Sequence, residues 1–213
     1  MAKFQEQLKE KAKELHLKEK AIYREKCPIS PKMDGTQIFF SQSKISRLIC
    51  KRRINTKDRL MKFGLITDPR CPLCMRENED INHLFFKCTV SDNLLEYACT
   101  MLQMEKPSGN VLEVLTFVMK NFAGPAMRNL ASRASFNIVA YSLWKERNAR
   151  IFRNNTKTFQ QLTKEVKNDI YIMLSKINKM KKTRKNILWA EQMGIDPHFQ
   201  AKKPPSVFLD EGL

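Results

Sequence analysis

Cys71, Cys74, His83 and Cys88 stand in the spacing C-x2-C-x8-H-x4-C. Two thiolates separated by two residues converge from a tight turn onto one ion, and a second pair with four residues between its members converges from a helix end or turn. Together they make a closed Cys3His donor set, that of a structural Zn2+ site. A catalytic zinc would keep one position for water. The alternative is three buried thiols and a surface histidine; the compactness of the cluster and the polar turn Arg76 to Asp80 between the pairs speak against it. A hydrolytic deaminase needs H-x-E ahead of P-C-x-x-C. Here Cys71-Pro72-Leu73-Cys74 comes first and His83 is followed by Leu84-Phe85, so that chemistry is excluded.

The chain has 213 residues, enough for one domain with a real core and extended ends. Its 39 Lys+Arg against 22 Asp+Glu leave a formal charge of +17. An excess that large points to a polyanion, nucleic acid before an anionic membrane surface. No apolar run approaches the roughly 18 residues of a membrane span. Met1 to Lys26 lacks the apolar centre of a secretory signal and carries too many glutamates for a transit peptide. A reducing, intracellular compartment, nucleus or organelle, is therefore expected, which favours reading clustered cysteines as ligands rather than disulfides. Cys27, Cys50 and Cys99 read as small hydrophobes, and His16 and His198 as solvated residues.

The expected fold is mostly α, a helical domain with a Cys3His zinc knuckle. Residues 1–40 read as an amphipathic helix and linker, with Phe4, Leu8, Ala12 and Leu15 on its thin apolar stripe. Residues 41–192 form the main domain, and 193–213 a tail. Within the domain, Ile45, Leu48 and Ile49 give one stripe, and Thr56 caps a short helix ending at Gly64. Ser91 is expected to cap a helix carrying Leu94, Leu95, Ala98 and Leu102. Val111 to Phe122 follows, broken by Gly124-Pro125. Ala126 to Arg153 reads as one long helix with Leu130, Ala134, Ile138 and Tyr141 inward. Another long helix starts at Thr156 or Thr158 with Leu162, Val166, Ile170, Met173, Leu174 and Ile177 in its stripe. The small apolar content between Cys71 and Cys88 implies that metal couples to folding of that third.

Two basic clusters are candidate nucleic-acid contacts. Lys44, Arg47, Lys51, Arg52, Arg53, Lys57 and Arg59 precede the knuckle with Asp58 as the one nearby acid, and could form one positive wall. Lys181, Lys182, Arg184 and Lys185 make the second. Such cations grip phosphates without reading sequence. Phe85 and Phe86 read either as base-stacking platforms or as core beneath the metal, with the core favoured for at least one. Arg147 and Arg150 read either as part of a core helix or as an RNA-facing pair.

These residues carry a resemblance. Thr56-Lys57-Asp58-Arg59-Leu60, Gly64-Leu65-Ile66, Cys71-Pro72-Leu73-Cys74, Glu79 and His83-Leu84-Phe85-Phe86-Lys87-Cys88 resemble the zinc-binding domain that follows reverse transcriptase in plant non-LTR (LINE-type) retrotransposons. Trp144-Lys145-Glu146-Arg147-Asn148-Ala149-Arg150-Ile151-Phe152 resembles the W-x-E-R-N-x-R-x-F segment downstream in the same polyproteins. The resemblance covers about Phe39 to Lys176, in the family's order, and leaves the N-terminal Lys/Glu segment outside. Leu95 stands where the family often has Trp, and Asp80 where Ser or Thr is common. There is no Y/F-x-D-D motif and no endonuclease segment, so no enzyme activity is expected.

The resemblance implies zinc ligation by Cys71, Cys74, His83 and Cys88, and a grip on RNA or DNA beside a reverse transcriptase. The chain would then be a retroelement remnant put to another use, or a fragment. The expected function is a non-enzymatic, zinc-containing, RNA-binding module. The alternative is a structural subunit of a larger ribonucleoprotein, such as an organellar ribosome, with protein partners.

Overall fold

The computed structural model describes residues 44–175, 180–194 and 199–200. Two short helices, α1 (Lys44–Cys50) and α2 (Lys57–Lys62), lead into the cysteine turn. A π-helical turn (His83–Lys87) then runs into α3 (Thr89–Met101). Next come α4 (Val111–Asn121), α5 (Met127–Arg153), α6 (Phe159–Ser175) and α7 (Arg184–Gln192). Among the described residues, strands are confined to a parallel pair, β1 (Met180–Lys181) and β2 (Phe199–Gln200). The fold is mostly helical, as the periodicity predicts. The N-terminal stripe of Phe4, Leu8, Ala12 and Leu15, Cys27, His16, Ile177, His198 and most of the 193–213 tail lie outside the described residues.

The 27 residues of α5 make a rod of about 40 Å. One apolar cluster runs along it from Ile45 to Ala190. It takes Ile45 and Ile49 from α1, Leu94, Leu95, Ala98 and Leu102 from α3, Val114 and Val118 from α4, and Leu162, Val166, Ile170 and Leu174 from α6. The helix ends follow local chemistry. Asn110 accepts from Leu112 and Glu113 N–H while the Glu113 carboxylate accepts from Asn110 N–H, a capping box that starts α4. Thr158 Oγ1 accepts from Gln161 N–H and Gln161 Oε1 from Thr158 N–H, which does the same for α6. Gly124, at φ 90, makes the break before α5 that only glycine enters freely.

Three local expectations shift. Helix α3 begins at Thr89, so Ser91 lies inside it, and its hydroxyl donates to the Leu84 carbonyl of the preceding π turn. The basic stretch Lys44 to Lys62 is two helices with a turn between them, Arg52 sitting there at φ 50. On the inner face of α5, Ala134 is buried and Leu130 and Ile138 pack against the core, but the face is wider than the apolar reading and turns away from Tyr141. Tyr141 is 52% exposed, while Ser132, Arg133, Ser135, Ser142, Glu146 and Arg147 are buried. Ser132, Arg133, Ser135, Glu146 and Arg147 each find a backbone or charged partner there, which apolar periodicity cannot register. Arg133, for example, donates to the carbonyls of Phe122 and Gly124 at the end of α4.

Candidate metal centre

The knuckle is a hairpin closed by a bridge between Arg70 and Asn78. Cys71 N–H donates to Glu77 O at 2.7 Å, and Met75 N–H to Cys71 O at 2.8 Å, which curls the C-x2-C turn around its thiols. Met75 follows Cys74 at φ 57, a left-handed position that an L side chain enters only at a cost of about 1 kcal/mol. On the other side, Asp80 caps the π turn by accepting from His83 N–H at 2.6 Å. That turn ends at Cys88, which is also the N-cap of α3.

The ligand atoms of Cys71, Cys74, His83 and Cys88 all lie within 4.8 Å of one another. Cys71 Sγ and Cys88 Sγ are 3.9 Å apart, and Cys74 Sγ and His83 Nε2 are 3.4 Å apart. Zinc–sulfur and zinc–nitrogen bonds in a tetrahedron would set these edges at about 3.8 Å and about 3.6 Å. The donor set therefore fits one tetrahedral ion. His83 Nδ1 lies 3.4 Å from Glu77 Oε2, which leaves Nε2 toward the thiols, the usual arrangement of a metal-binding histidine backed by a carboxylate. A hydrogen bond from Cys71 and the N–H groups of Ser91 and Val90 hold the Cys88 thiol below its ordinary range. The same contact and burial push Cys71 up. Cys99 lies buried in the core, its thiol pushed up to about 12 mainly by burial, an inert small hydrophobe.

Residues 4–94 match the family model described as zinc-binding in reverse transcriptase. The chain carries a reverse-transcriptase-associated zinc-binding domain. The match takes in residues 4–38, so the N-terminal Lys/Glu segment belongs to the matched stretch, contrary to the expectation that it lay outside the family pattern. It ends before the Trp144 to Phe152 segment. No curated protein and no solved structure matches the chain.

The zinc-binding domain is fastened to α5 by that downstream segment. Glu79, expected in a polar turn, is 1% exposed. Arg147, 2% exposed, reaches it with Nη2 at 2.8 Å from Oε1 and Nε at 3.2 Å from Oε2. The second Oε1 contact is Lys57 N–H of α2 at 2.8 Å, and Arg147 Nη2 also donates to Asn55 O. Arg150 Nη1 donates to the carbonyls of Pro72 and Leu73, the two residues between the paired cysteines, at 3.0 and 2.9 Å. Glu146 Oε1 orients Arg150 by accepting its Nε at 2.7 Å and also takes Lys157 N–H before α6. The Arg147 guanidinium carbon lies over the Trp144 ring, 5.0 Å from its centroid. The arginine pair faces the knuckle and not outward. The sequence reading missed this role; the Glu79 to Arg147 combination in two separate motifs is the signal that could have found it.

The candidate nucleic-acid residues divide. Lys57 Nζ pairs with Asp68 at 3.2 Å, and Arg59 Nη1 donates to Arg52 O at 2.9 Å. Arg47, Lys51 and Arg53 are half-buried, while Arg52 is exposed; Lys44 opens α1. Lys181, Lys182, Arg184 and Lys185 are all exposed around the start of α7. Asn186 Oδ1 accepts from Met127 N–H, so this cluster sits at the opposite end of α5 from the knuckle, about 35 Å away along the rod. Phe85 is in the core and Phe86 is half-buried beside it, so neither ring is a free platform. Among the described residues, no helix is long and apolar enough to cross a membrane.

Proposed function

We propose that the protein is a non-enzymatic nucleic-acid-binding module, with RNA as its polyanion, in which Zn2+ held by Cys71, Cys74, His83 and Cys88 fixes the surface that carries the first basic cluster. The observation that carries this reading is the set of exposed cations without a carboxylate partner among the described residues: Arg52 and Lys62 beside the knuckle, and Lys181, Lys182, Arg184 and Lys185 at and just before the start of α7. Cations left unpaired on a chain of charge +17 are available to phosphates. The zinc supplies no reaction here. It closes the knuckle, and the knuckle holds α2 through Glu79, whose carbonyl takes Asp58 N–H at 3.1 Å and whose carboxylate takes Lys57 N–H.

The test is equilibrium binding of a random-sequence RNA across a KCl series, with bound zinc measured on the same protein. The reading expects one zinc per chain and an affinity that falls steeply and linearly on a log–log salt plot. Charge reversal at Arg52 and Lys62 should flatten the slope by about one unit per lost phosphate contact. An affinity that ignores salt, or no binding at low salt, would overturn it.

A further inference from the structure

A cleft of about 370 Å³ opens beside the knuckle, between the 52–54 turn, α2 and the residues that lead into the π turn. Its size is at the lower end for small-ligand sites, enough for a nucleoside-sized group. Three features of its lining act together. Arg52, Arg59 and Lys62 supply positive charge, and the contacts of Arg59 Nη1 with Arg52 O and Ile54 O anchor that guanidinium to the turn. Phe63, at the end of α2, lines the same cleft with 53% of its surface exposed, the one largely exposed aromatic next to the knuckle among the described residues. Asp58 and Asp80 also line it. Thr56 Oγ1 donates to Asp58 Oδ1, and His83 N–H to Asp80 Oδ1, so each carboxylate is held in place and keeps a second oxygen without a protein partner among the described residues.

A plain phosphate site would not place two carboxylates among its cations. A purely apolar ligand would not need either charge. The mixture matches one nucleotide: phosphate for the cations, a base face for Phe63, and the amino edge of a base for the carboxylate oxygens. Only an unpaired base can offer its face and that edge at once. Building on the nucleic-acid reading above, we propose that this cleft receives a single unpaired nucleotide, its base stacked on Phe63. The module then prefers bulged or single-stranded nucleic acid to a continuous duplex.

The test uses the full chain with zinc and two hairpins of equal length and charge, one fully paired and one with a single unpaired adenine, made in RNA and again in DNA. Wild type should bind the bulged form about tenfold more tightly. A 2-aminopurine at the bulge should report stacking by quenching. Phe63→Ala should bring the two hairpins to within about twofold while leaving the paired hairpin's affinity unchanged, and Phe63→Trp should keep the preference. A preference in either backbone sustains the proposal and identifies the sugar. Equal binding of both hairpins by wild type, or a preference that survives Phe63→Ala, overturns the cleft and leaves the nucleic-acid reading standing. Failure to bind any hairpin overturns both.

Discussion

Replacing Arg147 by methionine isolates the polar fastener between the zinc-binding domain and α5. Methionine keeps most of the side-chain stem against Trp144 and removes only the guanidinium. Both partners are out of solvent, at 2% and 1% exposure. Glu79 would keep Lys57 N–H as its donor and lose the contacts at 2.8 and 3.2 Å. A buried carboxylate stripped of its cation costs about 3–5 kcal/mol, against a total stability of about 5–15 kcal/mol for a domain. Adding Glu79→Gln removes the orphaned charge and still offers an oxygen to Lys57 N–H. The double variant should therefore recover about 1–3 kcal/mol relative to additivity. Urea denaturation at saturating zinc reads the energies, and hydrogen exchange over residues 53–90 locates the loosening. A cost below about 1 kcal/mol, the value of an exposed pair, would refute the reasoning, as would a strictly additive cycle.

Further perturbations test neighbouring steps. Cys74→Ala, or removal of zinc by a chelator, should raise protease sensitivity around residues 50–90 while α6 and the helicity of the α5 core persist; uniform unfolding, or unchanged protection, would count against a locally coupled metal. Arg150→Ala should weaken zinc about 10- to 100-fold in a competition titration, because the Pro72 and Leu73 carbonyls lose their donor. Asn110→Ala should cost about 0.5–2 kcal/mol by thermal melting through loss of the α4 capping box. The Lys157 ammonium holds the Glu165 carboxyl below its ordinary 4.5. Its stabilisation is therefore present above pH 4.5 and lost as pH falls through the lower folded value. Glu165→Gln should melt earlier than wild type at pH 7 by under about 1 kcal/mol, since Glu165 is partly exposed, with the gap closing in acid.

The legible parts of this chain were those governed by local rules. Thiol spacing placed the metal ligands, and apolar periodicity found α3, α4 and α6 to within a few residues, because those helices bury only one apolar stripe. The inner face of α5 was legible only in part: Leu130, Ala134 and Ile138 lie against or in the core as read, but its polar half was not. Tyr141 falls at an apparent core position yet points to solvent, while Glu146 and Arg147 look like surface residues yet lie inside. Arg147 is buried against Glu79, and Glu146 against Arg150, whose other partners are the Pro72 and Leu73 carbonyls; Glu79, Pro72 and Leu73 stand far away in sequence. The division of basic residues was hidden for the same reason. Lys57 and Arg59 read as free cations until Asp68 and the Arg52 carbonyl appear beside them.

A polar fastener has a consequence that an apolar one would lack. Arg150 grips carbonyls inside the turn whose shape the metal sets, so metal binding and docking of α5 act on the same few atoms. Such coupling is reciprocal: whatever docking adds to zinc affinity, zinc must return to docking. The loss of zinc affinity in Arg150→Ala therefore fixes in advance how much zinc stabilises the contacts of α5 with the knuckle. A tenfold loss corresponds to about 1.4 kcal/mol of zinc-dependent protection that should vanish in the variant. Should zinc protect those contacts equally with and without Arg150, the two motifs would be neighbours only, and the zinc would stabilise the knuckle without being felt by the helix that carries it.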